Sequence, residues 1–189
     1  MSRSRREFVA ASAAGGLCLL TFSLAGCDTK LTPAQARAAN LPPRTLDTQS
    51  LTTLESLAEI LVPGAAAAGI AQYLDHQLSG APADSMLMIK YLNVGMPFVQ
   101  FYRGGVQAAE LAARRQFTRP VAELSPQQSS HLLRQMSAGE LEGWQGPPQG
   151  LFYFVLRNDA VDVLYGTQSG FELLGVPYMA HIVPPSKWG

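Results

Sequence analysis

The chain has 189 residues, of which 15% are charged and 47% apolar, with no formal net charge. That composition excludes a disordered chain, and near-neutrality leaves no electrostatic reason to bind nucleic acid or an anionic surface. Setting residues 1–26 aside removes three of 14 basic and one of 14 acidic side chains, leaving 11 and 13, a net charge of −2.

Residues 1–26 read as an export signal rather than as part of the fold. Arg3, Arg5 and Arg6 make a basic start, and a run without charge follows from Phe8 to Gly26. Within it, Ser4-Arg5-Arg6-Glu7-Phe8 matches the twin-arginine signal, with Arg5, Arg6 and Phe8 as the residues read by the translocase. The run closes on Leu24-Ala25-Gly26-Cys27. That pattern resembles the lipobox of bacterial lipoproteins, in which the cysteine becomes the lipidated first residue after cleavage. Asp28 fits the position that in some bacteria retains a lipoprotein at the inner membrane. The expected location is therefore periplasmic, lipid-anchored at the inner membrane through Cys27. The only other cysteine, Cys18, lies inside the apolar run. The remaining chain thus has no disulfide or thiol chemistry of its own.

Residues 27–47 hold Pro33, Pro42 and Pro43 and show no sustained apolar period. They read as a flexible tether, and about 20 such residues span roughly 25 Å r.m.s.. Residues 48–189 then read as one helical domain. Asp47 or Thr48 can cap a helix with Leu51, Leu54, Leu57, Ala58 and Leu61 on one face, ended by Pro63-Gly64. A second helix is expected from Ala65 to Leu78. The apolar segment Met86–Phe117 must break near Pro97, which lacks an amide proton. Ser125-Pro126-Gln127-Gln128 is a capping box that opens a helix through Leu132, Leu133 and Met136, stopping by Gly139. A Gly/Pro-rich loop with Trp144 leads to a last helix from about Leu151 to Tyr165. The tail Gly166–Gly189 shows little helical period, and no strand pair or repeat is evident. The expected fold is all-α: a single small domain of about five or six helices with an irregular Pro/aromatic-rich C-terminal tail.

No catalytic, cofactor-binding or metal-binding constellation emerges. His76, His131 and His181 are far apart, and none has the i, i+4 spacing with glutamate of a zinc peptidase. The dinucleotide fingerprint and the nucleophile elbow are missing as well. Asp159 and Asp162 share a helix face, read as solvated. Aromatic residues crowd the C-terminal quarter, and Trp144, Phe152, Tyr165, Phe171, Tyr178 and Trp188 form the candidate partner interface. Phe154 reads as core.

Three stretches carry a family resemblance. They are Leu51–Leu78 with its Ile60-Leu61-Val62-Pro63 stop, Tyr102-Arg103-Gly104-Gly105 through Ser125-Pro126, and Gly150-Leu151-Phe152-Tyr153-Phe154 through Phe171-Glu172-Leu173-Leu174-Gly175-Val176-Pro177. In this order, behind a twin-arginine signal, they resemble subunit 3, the small subunit of gluconate 2-dehydrogenase-type membrane-bound flavin dehydrogenases. The sequence departs from that pattern after Val163, where the family usually carries a longer loop. The resemblance implies a non-catalytic subunit with no cofactor of its own. Its implied partners are a large flavoprotein of the glucose-methanol-choline type, which holds FAD, and a cytochrome c subunit. It also implies that the small chain aids export, maturation and membrane attachment of the large one. The competing reading is a stand-alone periplasmic lipoprotein that binds a small ligand.

The export reading predicts that changing Arg5 and Arg6 together to lysine blocks translocation, because the translocase reads the arginine pair as an address rather than as charge. Cell fractionation checks it: normal periplasmic accumulation of the double variant would count against the twin-arginine route.

Overall fold

Side-chain caps open four of the seven described α-helices. The computed structural model describes residues 20–24, 27–95 and 97–176. In chain order these form β1 (Leu20–Leu24), β2 (Cys27–Leu31), α1 (Pro33–Ala38), α2 (Thr48–Leu61), α3 (Ile70–Ser79), α4 (Phe98–Phe117), α5 (Pro126–Ala138), α6 (Gln149–Tyr165) and α7 (Gln168–Leu173). Short 3₁₀ turns lie at Pro82–Asp84, Met88–Tyr91 and Val121–Glu123. The all-α expectation holds. Its core is five helices of 10 to 20 residues, with two six-residue helices at the edges.

Asp47 caps α2 by accepting the Ser50 N–H at 2.8 Å. The predicted box at Ser125 forms in full: Ser125 Oγ accepts from the Gln128 N–H, and Gln128 Oε1 accepts from the Ser125 N–H. Gly139, at φ +77°, closes α5 in the left-handed conformation that glycine adopts without strain. α4 begins directly after Pro97, where the sequence demanded a break.

The predicted helix from Ala65 starts later, at Ile70. The Glu59 carboxylate accepts the N–H groups of Gly64 and Ala66 at 2.9 and 2.8 Å, which holds residues 64–69 as turns. Gly69 ends them at φ +85°. A Cβ there would strike the backbone of Pro33, so glycine lets α1 lie directly against the start of α3.

α6 is the central element. It touches α2, α3, α4, α5, α7 and the Met88–Tyr91 turn. Phe152, Val155, Leu156, Ala160 and Val163 are all buried. Gly105 on α4 permits the closest approach, since a Cβ at that position would run into the Phe152 ring. Leu54 and Leu57 from α2, Ile70 and Leu74 from α3, Tyr102 and Val106 from α4, and Leu132 and Met136 from α5 complete the core.

Three features depart from the sequence reading. The first is the strand pair, antiparallel, with Leu20 opposite Leu31 and Leu24 opposite Cys27. The alternation of Leu20, Phe22 and Leu24 had been absorbed into the apolar run of the signal. The second is the tail, where Thr167 caps the short helix α7 by accepting the Gly170 N–H.

The third is the tether. Residues 33–46 are folded against the domain. Thr32 and Gln35 form a second capping box at the head of α1. Ala36 and Leu46 are buried. The buried carboxylate of Asp75 accepts three consecutive backbone N–H groups, from Arg44, Thr45 and Leu46, at 2.6, 2.9 and 2.8 Å. Arg103 adds a bond to the Thr45 carbonyl at 2.6 Å, and Arg37 pairs with Glu55 at 2.9 Å. The exposed Arg37 pair adds little, but removing Asp75 would orphan three donors, each costing about 1–3 kcal/mol where buried.

Asp75→Ala is therefore expected to release residues 33–46 while α2 to α6 stay folded. Limited trypsin digestion of the native protein checks this: cleavage after Arg37 and Arg44 should speed up by about tenfold or more. Unchanged cleavage rates would mean that Asp75 does not hold the segment.

Candidate functional site

The C-terminal aromatic cluster divides once it is folded. Phe152 is fully buried, with no exposed surface. Its ring lies 5.9 Å from Phe101 and 6.2 Å from Trp144, centroid to centroid. It is a core residue, and the expectation that it meets a partner is corrected. Phe154, read as core, is 43% exposed. The exchange follows from helix geometry: two residues on is 200° round the helix, so the two rings face opposite ways.

Trp144 is half-buried. Its indole N–H donates to the Pro147 carbonyl at 2.6 Å, which folds the 139–148 loop onto the start of α6. Arg115 on α4 steadies the same loop through the Gly143 carbonyl at 3.1 Å. Tyr165 and Phe171 are half-buried, and Tyr165 packs on the core. Tyr178, Trp188, Arg5, Arg6 and Phe8 lie outside the described residues. Cys27 opens β2 as backbone, but its side chain is outside them as well.

Among the described residues, the end of α7 and the turn after it expose aliphatic side chains. Leu173 is 71% exposed, Leu174 55% and Val176 49%. Three large apolar side chains exposed within four residues are a feature of contact surfaces. On another part of the surface the Met88–Tyr91 turn presents Tyr91. No described helix is long and apolar enough to cross a membrane. Among the described residues no group of three His, Cys, Asp or Glu side chains could hold a metal ion.

Asp159 departs furthest from expectation. It is fully buried, not on a solvated face. Its Oδ2 accepts the Tyr102 hydroxyl at 2.5 Å, and its Oδ1 accepts the Met88 N–H at 2.9 Å. One carboxyl thus joins α6, α4 and the Met88–Tyr91 turn. Burial raises its pKa from the usual carboxylate value to about 7, against the two hydrogen bonds, which favour the charged form. Burial also pushes the Tyr102 hydroxyl well above its ordinary value, and the nearby Asp159 charge adds to that. Tyr102 and Asp159 have no accessible surface, so their arrangement serves as an internal brace rather than an acid/base pair open to substrate. His76 on α3 is half-buried beneath β1, and burial lowers its pKa. His131 is exposed and rests against Phe117, and His181 is outside the described residues.

Residues 48–180 match the family described as gluconate 2-dehydrogenase subunit 3. No curated protein and no solved structure matches the chain.

The raised pKa of Asp159 has a definite sign. Its folded value lies above the unfolded one, so its contribution to stability is complete below about pH 4 and is lost as pH rises through about 7. Asp162, raised by burial, acts in the same direction, whereas His76, lowered by burial, acts against it. Over that window Asp159 should cost a few kcal/mol of stability. Asp159→Asn should remove most of this slope. Urea denaturation midpoints at pH 5 and pH 7.5 decide the matter: equal pH dependence in the native protein and the variant rules the brace out as its source.

Proposed function

The chain belongs to the gluconate 2-dehydrogenase subunit 3 family, and on that premise we propose that it is the non-catalytic small subunit of a periplasmic flavin-dependent dehydrogenase complex. The family match over residues 48–180 carries this reading. The three sequence stretches and the helical domain support the same reading. The large subunit holds the FAD and oxidises a sugar or polyol, and a cytochrome c subunit takes the electrons.

The N-terminus supports a role in delivery. The twin-arginine route carries proteins that fold before export, and the sequence shows no cofactor motif of its own that calls for it. A large companion loaded with flavin in the cytoplasm does. Arg5, Arg6 and Phe8 then address both subunits, and lipidated Cys27 holds them at the periplasmic face of the inner membrane. A single acyl chain binds only marginally, so stable attachment uses the further chains of a processed lipoprotein.

The exposed Leu173, Leu174 and Val176 supply an apolar surface for the large subunit. Tyr178 and Trp188 follow in the sequence as further candidate contacts, and Trp144 belongs to the loop at the head of α6. An apolar anchor at the centre of an interface typically contributes about 2 kcal/mol or more.

Deleting this chain should leave the flavin dehydrogenase in the cytoplasm, read as activity with an artificial electron acceptor in the two cell fractions. Leu173→Asp, on a side chain too exposed to matter for folding, should weaken recovery of the large subunit with this chain by about tenfold. Unchanged periplasmic activity after the deletion, or turnover of a sugar by the purified chain alone, overturns the assignment.

A further inference from the structure

β1 lies over a surface that the rest of the chain has prepared for it. Alternation along the strand turns Leu20 and Phe22 inward, and both are buried. The Phe22 ring sits 5.1 Å from the His76 ring, and the Arg44 guanidinium lies 5.3 Å from the Phe22 centroid. The strand's backbone is gripped as well. The Thr21 carbonyl meets His76 Nε2 at 3.1 Å and Arg44 Nη2 at 3.2 Å. On its other side β1 pairs with β2 along its whole length. The floor of this groove is α3, which the Asp75 carboxylate fastens to the Arg44–Leu46 turn.

Two buried polar atoms on α3 have no hydrogen-bond partner: His76 Nδ1 and Gln72 Oε1. Residues four apart share a helix face, so both belong to the side of α3 that carries the groove. Buried polar groups are ordinarily paired, which makes this a surface fitted for something more polar than β1 alone supplies.

Leu20 to Leu24 precede the lipobox cysteine and continue backwards into the uncharged run that begins at Phe8. Processing adds water across the Gly26–Cys27 amide, leaving a carboxylate on Gly26 and an amine on Cys27. It therefore separates β1 from β2. The retained chain is left with an open strand edge on β2 and with the surface that buried Leu20 and Phe22 uncovered, both costly in water.

We propose that this groove, vacated on processing, docks one extended strand of the large dehydrogenase subunit, with large apolar side chains at alternate positions and polar atoms that reach His76 and Gln72. The proposal rests on the accessory-subunit reading for the identity of the occupant. A second copy of this chain is a poor match at the same edge. Among the described side chains of β2, Thr29 and Leu31 lie on one side and Lys30 on the other, which offers no pair of large apolar residues. In the precursor β1 fills the site, so the subunits complete their contact only after export.

Two measurements test this. The chain from residue 27 onward, carrying Cys27→Ser and shown by circular dichroism to keep its helices, is titrated with a labelled peptide of residues 18–26. Saturable binding is expected, weakened about tenfold or more by Phe22→Asp in the peptide. No saturable binding, or binding indifferent to that change, refutes the groove. In the native complex, His76→p-benzoylphenylalanine should crosslink to the large subunit when the chain is processed, and to residues 20–24 when Cys27→Ala prevents processing. A flavoprotein that co-purifies without the crosslink shows that the large subunit docks elsewhere and overturns the proposal. If no flavoprotein co-purifies, the accessory-subunit reading fails and takes the named occupant with it, while the peptide titration alone decides whether a strand-binding groove exists.

Discussion

Burial of α6 on nearly every side is the constraint that the remainder of the fold answers to. A helix wrapped by five others can carry no polar side chain inward without a partner. Asp159 is the single carboxylate on its buried side, and two elements are committed to satisfying it. Tyr102 brings α4 to it, and the Met88 N–H brings the 3₁₀ turn. The geometry is directional where apolar packing is not, so it fixes the rotation of α4 against α6 as well as their distance. Gly105 sets that distance by leaving room for the Phe152 ring.

A second carboxylate repeats the principle at the edge of the domain. Asp75 takes three successive backbone N–H groups from the bend that leads into α2. Asp159 and Asp75 are thus polar anchor points, one inside and one at the N-terminal margin. Neither has the exposure that chemistry on a substrate requires. The surface features point outward to a different kind of work. They are the exposed aliphatic side chains of Leu173, Leu174 and Val176 and the edge-paired strand β1, features suited to contact with another protein. This agrees with membership of a family of dehydrogenase subunits.

Helix order and most helix ends were legible in the sequence because they depend on local chemistry. Ser125-Pro126-Gln127-Gln128 and Pro97 act within one turn, and their effects survive any tertiary context. The same rule was present but unread at Thr32-Pro33-Ala34-Gln35, where two further prolines nearby suggested a tether. What α1 packs on lies some 35 residues away at Gly69, and no local pattern carries that information. Along α6 the fault lay in reading single residues rather than the stripe. Phe152, Val155, Leu156, Ala160 and Val163 follow offsets of three and four, and Asp159 falls inside that series. A carboxylate in the middle of an apolar stripe was the available signal for a buried, partnered acid. Phe154 lies off the stripe, and the same series would have placed it outside.

If Cys27 is lipidated, the docking of α1 changes how the domain is held at a bilayer. Twenty freely jointed residues would let the domain wander at an average height, in any orientation. With the chain fixed from Pro33 onward, only six virtual bonds separate the Cys27 backbone from the folded body, a hard ceiling of about 20 Å even when fully drawn out. On the lipid-anchor reading the domain is then moored at one corner, and its rotations are limited to a cone. Encounter with a bulky companion at the same surface becomes a search in two dimensions with much of the angular freedom already spent.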